Sequence, residues 1–192
     1  MEFSILEKAL DGVVVLKTPV FLDSRGFFSE TYRKDKFKEI GILEEFVQDN
    51  HSGSIKGVLR GLHFQWDPPM GKLMRVTKGE AYLVCVDIRK NSPYLGKYHG
   101  IIASEENRIQ VYAPAGFARG FYAISNYVEV QYKCTAIYNP KGESAILWND
   151  PNIGIEWPTI YGIERPILSE KDRNAQTLEE WLKRPESEVL KY

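Results

Sequence analysis

The sequence contains few cysteines and no long apolar run. Its two cysteines, Cys85 and Cys134, are too few and too far apart for a disulfide framework or a zinc ribbon, so we expect buried free thiols. Glu2, Glu7 and Lys8 interrupt any signal-peptide core, and no segment approaches membrane-spanning length. These absences predict a cytoplasmic protein.

The chain also lacks a strong excess of charge of either sign. Its formal net charge is -1, with 43% hydrophobic and 27% charged residues in 192. Such a composition excludes a global electrostatic field that would attract nucleic acid or an anionic membrane, so any anionic ligand must be bound by a local cluster. The length suits one substantial core, and we expect residues 1–192 to form a single domain.

Short strand-like segments separated by turns dominate the chain. Apolar, β-branched or aromatic runs occur at 12–18, 27–32, 45–50, 57–65, 72–77, 80–88, 98–103, 108–113, 117–124, 127–138 and 144–148. We expect one helix at 35–40, which Gly41 ends, and a C-terminal helix with capping-box spacing from Thr177 to Glu180. This pattern predicts a mainly β protein, a double-sheet jelly roll.

One Arg, one Gly and one His interrupt the apolar run at 58–65. Arg60 is a permanent cation suited to phosphate or carboxylate, and position 63 carries histidine, the one side-chain type whose unperturbed pKa lies near neutrality. On a regular strand these two side chains would point to opposite faces. If both serve one cavity, the strand must bulge near Gly61 or begin after it. A half-buried strand in which His63 only satisfies a core hydrogen bond is the alternative.

Alternation along three other segments places polar side chains among apolar ones. Tyr132 shares a face with Val128 and Val130, Lys72 with Met74 and Val76, and Arg119 with Phe117 and Phe121. Unpaired cations are costly in a dry core, so a polar cavity with an anionic or carbonyl ligand would explain them. A sheet that exposes Lys72 and Arg119 to solvent on one side remains open.

With these residues assembled, the sequence resembles the dTDP-4-dehydrorhamnose 3,5-epimerase family nearly from end to end. The resemblance is carried by segments 23–30, 48–52, 59–65, 71–73, 86–93, 114–117, 148–151, 155–158 and 168–172. It implies a cupin-like jelly roll that works as a homodimer without metal or other cofactor. It also implies an isomerase that inverts C3 and C5 of dTDP-4-dehydro-6-deoxy-D-glucose, giving dTDP-4-dehydro-L-rhamnose.

The resemblance implies a role for each matching residue. His63 would be the base, oriented by Asp172; Tyr132 would be the acid on the opposite face, and Lys72 the cation near the C4 oxygen. The implied substrate contacts are Arg25, Glu30, Gln48, Asn50, Arg60, Glu143 and Lys171. Phe27 and Tyr138 would stack on thymine, one of them supplied by the second subunit.

Arg119 departs from the family pattern, which has His at this position. We expect Arg119 to bind phosphate or a sugar oxygen, although it could also restrict the reaction to C3. A C3-only epimerase of a related dTDP-4-keto-6-deoxysugar is therefore one alternative, and a non-catalytic nucleotide-sugar binding cupin is another. The residue two positions after His63 is Gln65 and the chain has only three His, which argues against a cupin metal site.

Overall fold

The computed structural model describes residues 2–192. Over this range the chain forms thirteen strands, three short α-helices and a 3-10 turn at Pro185–Val189. The strands are β1 Ser4–Ala9, β2 Val13–Lys17, β3 Phe21–Asp23, β4 Gly26–Phe28, β5 Gln48–Ile55, β6 Leu59–Gln65, β7 Lys72–Lys78, β8 Glu80–Asp87, β9 Tyr98–Ser104, β10 Ile109–Ala113, β11 Phe117–Ala123, β12 Tyr127–Cys134 and β13 Glu143–Ala145. The helices are α1 Lys34–Glu39, α2 Glu170–Arg173 and α3 Leu178–Lys183.

Two antiparallel sheets form the body of the molecule. The six-stranded sheet has the order β1-β2-β10-β7-β12-β5, and the five-stranded sheet has the order β13-β6-β11-β8-β9. The small hairpin β3-β4 stands apart from both sheets. This is the mainly β, cupin-like jelly roll that the sequence predicts.

The main core fills the space between the two sheets. Strand alternation directs Met74 and Val76 of β7, and Phe117 and Phe121 of β11, into this core. The alternation predicted for β7 and β11 is therefore confirmed. It places Lys72 and Arg119 on inner faces rather than on a solvent-facing side.

Both sheets are also covered on their outer faces. Phe37 of α1 packs with Leu16 and Leu73 on the outer face of the six-stranded sheet. Trp181 of α3 and Leu190 pack with Phe64 and other residues on the outer face of the five-stranded sheet. Burial on both faces explains why β2 and β8 are almost continuously apolar.

The predicted helices are confirmed, and several predicted strand limits are wrong. The Thr177 side chain accepts from the Glu180 N–H while Glu180 bonds back to Thr177, which completes the capping box of α3. The segment 27–32 is a strand only to Phe28, because the Ser29 hydroxyl then bonds the Pro19 carbonyl and the pairing ends. The strand predicted at 127–138 ends at Cys134, that at 144–148 ends at Ala145, and that at 45–50 runs as Gln48–Ile55.

Cys85 and Cys134 are buried free thiols, as expected. None of the helices formed by residues 2–192 has the length and apolar character needed to span a membrane.

Candidate active site

A β-bulge at Gly61 brings Arg60 and His63 to the same face of β6. Arg119 of β11 pairs with His63 and Phe121 pairs with Arg60, so two β6 residues face one β11 residue between them. Gly61 has φ +137°, and a Cβ there would lie 2.6 Å from the Gly120 Cα. The predicted bulge is confirmed, and it depends on a position that only glycine fills without strain.

His63 forms a close pair with Asp172. The ring Nε2 lies 2.5 Å from Asp172 Oδ1, and Asp172 is only 3% exposed on α2. Burial would raise the pKa of Asp172, but the hydrogen bond and charge of His63, with help from Ser169 and the Gly61 backbone, hold that pKa below its usual range. A charged Asp172 fixes the Nε2–H tautomer and leaves Nδ1 of His63 free to accept a proton.

Tyr132 and Lys72 reach the same cavity from the opposite sheet. Lys72 Nζ lies 4.8 Å from the centre of the Tyr132 ring, on the neighbouring strand. Burial raises the pKa of Tyr132, so the hydroxyl keeps its proton at neutral pH and is able to donate it. Burial, followed by the Arg119 charge, lowers the pKa of Lys72 to about 8. A histidine able to accept a proton thus comes from one sheet, and a protonated tyrosine with a nearby cation comes from the other.

His63, Lys72 and Tyr132 line a cavity of about 180 Å³. Its other lining residues are Gln48, Asn50, Phe64, Gln65, Met70, Tyr138, Glu143 and Lys171. A larger cavity of about 780 Å³ lies elsewhere, beside Phe27, Arg75 and Arg108. That cavity is lined by threonines and charged residues but by no histidine, so we assign proton-transfer chemistry to the smaller one.

A chain of hydrogen bonds ties the cavity rim together. The Glu143 carboxylate accepts from the Tyr138 hydroxyl at 2.9 Å and pairs with Lys171 Nζ. The Tyr138 N–H donates to Gln48 Oε1, and Gln48 Nε2 donates to Asn50 Oδ1. Hydroxyl, amide and charged groups that donate or accept hydrogen bonds therefore surround the entrance, and such groups suit a polyhydroxylated ligand.

Several residues expected at the site lie outside the cavity formed by their own chain. Arg25 pairs with Asp23 at the exposed tip of the β3-β4 hairpin, and Phe27 lies under Arg108 in the larger cavity. Glu30 lies 3.5 Å from Arg33 rather than beside His63. Arg60 is exposed beyond the cavity lining and donates to the Ser54 hydroxyl and the Gly53 carbonyl. Its charge only partly offsets the burial that raises the pKa of Tyr132.

Arg119, which we expected to bind phosphate or a sugar oxygen, lies outside the residues that line the cavity. It is 3% exposed, and its guanidinium donates to the backbone carbonyls of Met70 and Ala113. The strand pattern identified the inward direction of this side chain. It could not reveal that backbone carbonyls lie within its reach.

Sequence reasoning missed the structural role of Gln65. Its amide donates to the Pro68 and Ile137 carbonyls and accepts from the Asn139 N–H, so it joins three segments around the cavity. Position alone gave a signal, since Gln65 follows His63 by two residues and shares its face. Met70 and Phe64 also line the cavity without having been expected there.

Across residues 2–192 there is no group of three or more His, Cys, Asp and Glu side chains placed to hold a metal ion.

Similarities to known proteins span nearly the whole chain. The family model described as dTDP-4-dehydrorhamnose 3,5-epimerase matches residues 7–180. An enzyme of that name from Methanothermobacter thermautotrophicus is 48% identical over 179 residues, which is 93% of this chain and 96% of the relative. The Legionella pneumophila dTDP-6-deoxy-D-glucose-3,5-epimerase, solved with dTDP-4-keto-L-rhamnose, gives a TM-score of 0.92 at 41% identity and covers 100% of this chain and 99% of its own. A 3'-monoepimerase from Streptomyces bikiniensis, solved with dTDP-quinovose, gives 0.83 at 30% identity over 95% of this chain and 90% of its own.

Proposed function

Since the chain belongs to the dTDP-4-dehydrorhamnose 3,5-epimerase family, we propose that it inverts C3 and C5 of dTDP-4-dehydro-6-deoxy-D-glucose to give dTDP-4-dehydro-L-rhamnose. One observation carries this proposal. A paired base, His63, and a protonated acid, Tyr132, enter one cavity from opposite sheets. Inversion needs a base on one face of the sugar and an acid on the other, and this arrangement meets that need.

The reaction begins with removal of a proton from carbon. A C–H next to the C4 ketone is weakly acidic, because its electron pair moves into an enolate whose charge rests on the C4 oxygen. His63 takes the proton on Nδ1 while Asp172 stabilises the resulting imidazolium. The Lys72 ammonium group stabilises the enolate oxygen in a cavity where charge is poorly screened.

Inversion is completed from the other side of the planar enolate. Tyr132 donates its hydroxyl proton to the carbon, and the electron pair returns from oxygen to re-form the ketone. Solvent then returns a proton to Tyr132 and removes one from His63, so the enzyme is unchanged overall. The same cycle serves C3 and C5, since both carbons flank C4.

Rim groups hold the substrate in this orientation. We assign sugar and phosphate contacts to Gln48, Asn50, Glu143 and Lys171, which surround the entrance. Tyr138 is half exposed at the same rim and offers an aromatic surface for thymine. Arg60, exposed nearby on the face of His63, is available to the diphosphate.

A second subunit accounts for the remaining expected contacts. Arg25, Phe27 and Glu30 belong to or follow a hairpin that lies outside both sheets. That hairpin exposes Phe21, Leu22, Phe27 and Phe28, an apolar surface costly to leave in water. We propose a homodimer in which this hairpin reaches the partner's cavity and adds Arg25 and Phe27 to it.

The residues also support simpler properties of the enzyme. Proton transfer by His63 and Tyr132 requires neither metal nor organic cofactor. The free thiols Cys85 and Cys134 are consistent with a reducing compartment, and we propose that the enzyme acts in the cytoplasm. We further propose that residues 1–192 work as one domain.

Proton NMR of the substrate with the protein in D2O tests the proposal directly. Loss of both the C3 and the C5 proton signals, followed by formation of dTDP-L-rhamnose when the pathway reductase and NADPH are added, is the expected result. Loss of the C3 signal alone would favour the C3-only reaction, which the similarity to a 3'-monoepimerase keeps as the second candidate. Binding without exchange would leave a non-catalytic sugar-nucleotide protein.

A further inference from the structure

Arg119 is a buried cation without an acidic partner. It lies on the inner face of β11 between Phe117 and Phe121, opposite His63 in the pairing with β6. None of the acidic side chains in residues 2–192 pairs with it, and its Nε is buried without a hydrogen-bond acceptor. Burial lowers its pKa only to about 10, so it is charged at neutral pH. Such an arrangement costs stability, because the charge is neither hydrated nor paired.

The two carbonyls that Arg119 holds are both neighbours of Lys72. Met70, which accepts from the guanidinium at 2.8 Å, lies two residues before Lys72. Ala113, which accepts at 3.3 Å, is the residue of β10 that pairs with Lys72. One planar group thus fixes the segment leading into Lys72 and the strand beside it.

The charge of Arg119 also acts on Lys72 itself. After burial, Arg119 is the largest cause that lowers the pKa of Lys72 to about 8. The other titratable or charged groups facing these two cations come from six elements: His63, Cys85, Tyr112, Tyr132, Cys134, Glu143 and Lys171. Glu143 is the only acid among them, and it is already paired with Lys171. The interior behind the cavity wall is therefore positive overall.

We propose that Arg119 is a positioning residue for the epimerisation: it fixes the Lys72 ammonium group through the Met70 and Ala113 carbonyls and adds a second positive charge behind the wall that faces the enolate oxygen. This proposal rests on the proposed function. It explains why an unpaired cation stands where an apolar side chain would pack at lower cost. A fixed charge in a water-poor interior stabilises a developing oxyanion without having to reorganise during the reaction.

Two substitutions separate the two parts of this role. Arg119→Met removes the donors and the charge while keeping much of the side-chain length, and Arg119→Lys keeps the charge but loses the planar fork. Arg75→Met is the matched control, because Arg75 lies on the strand of Lys72 but bonds Gln131 on the outer face. Thermal melting establishes that each variant is folded.

Steady-state kinetics over pH gives the first readout. For Arg119→Met we expect kcat to fall at least about tenfold, with KM within about threefold, because the stabilisation is realised mainly in the transition state. The basic limb of its kcat profile should move to higher pH, since Lys72 keeps its proton longer without a neighbouring cation. Arg119→Lys should keep the basic limb near its original position with a smaller loss of kcat. Arg75→Met should match the unmodified protein.

A second readout does not depend on turnover. Competitive labelling of lysine amines across pH, read by mass spectrometry, reports the pKa of Lys72, which should rise in Arg119→Met and stay in place in Arg75→Met. An unchanged Lys72 labelling curve with a lowered melting temperature would make Arg119 purely structural. A raised KM at constant kcat would make it a substrate contact. If the unmodified protein catalyses no exchange, the proposed function fails, while the labelling still decides whether Arg119 controls Lys72.

Discussion

Replacing Tyr132 by Phe should separate proton removal from inversion. The substitution keeps the ring, and therefore its packing beside Lys72 with Nζ 4.8 Å from the ring centre, and removes only the hydroxyl. Burial raises the pKa of Tyr132, so the group lost at neutral pH is a proton donor and not a negative charge. His63, which we propose as the base, belongs to the other sheet and keeps its bond to Asp172. The variant should still form the enolate.

The size of the loss follows from the part that the hydroxyl plays. A positioned general acid contributes about 10²–10⁴ in rate, which corresponds to about 3–6 kcal/mol of barrier at ~1.4 kcal/mol per tenfold. We expect inversion to fall by about this factor in Tyr132→Phe. Exchange with D2O at the carbon deprotonated first should survive, because His63 can return a deuteron to the face from which it took the proton.

Proton NMR in D2O, combined with the coupled formation of dTDP-L-rhamnose, measures the rate of hydrogen exchange and the rate of inversion in one sample. Tyr122→Phe is the matched control, since Tyr122 lies on the outer face of β11 away from the cavity. Inversion by Tyr132→Phe at the unmodified rate would refute the assignment of the acid. Loss of exchange in Tyr132→Phe together with persistent exchange in His63→Asn would show that the two roles are reversed.

Three further outcomes are expected. Asp172→Asn should lower kcat by about 10²–10⁴ with little change in KM, because His63 loses the charge that fixes its tautomer. The pKa of Asp172 is depressed in the folded state, so the stability that its charge contributes is present above the unfolded pKa and is lost as pH falls below about 3.8. The difference in urea stability between the unmodified protein and Asp172→Asn should therefore shrink from pH 7 to pH 3. Gly61→Ala should cost about 1–3 kcal/mol from backbone strain and also reduce activity, as measured by urea unfolding and the NMR assay, because the new Cβ would lie 2.6 Å from the Gly120 Cα. Trp181→Ala should cost about 3–5 kcal/mol in urea unfolding, since Trp181 is 0% exposed in the cluster beneath α3.

Local alternation and turn chemistry made much of the fold predictable. The inward direction of Lys72 and Arg119 follows from the apolar neighbours two residues away, and the bulge follows from requiring Arg60 and His63 on one face. The Thr177 capping box is likewise a local signal. Strand β1 was not predicted. All but its last residue are exposed, so its sequence shows no alternation between buried apolar and exposed polar positions.

What the sequence could not supply is the set of contacts made between distant segments. The backbone carbonyls of Met70 and Ala113 leave no mark in the residue types around Arg119, so its burial and bonding had to come from the structure. Arg25 and Phe27 lie in a motif whose position relative to the cavity depends on the packing of a separate hairpin. The Gln65 network joins segments that loops bring together; alternation places Gln65 on the face of His63 but does not identify its hydrogen-bond partners.

The position of Asp172 near the end of the chain links catalysis to the order in which the protein is made. Strands β5 to β12, which supply His63, Lys72 and Tyr132, leave the ribosome before α2 does. Asp172 reaches His63 only once α2 has been made and has packed beside β6. A nascent chain would therefore contain His63, Lys72 and Tyr132 before Asp172 is available to His63. Formation of the His63–Asp172 pair therefore reports that α2 has packed beside β6.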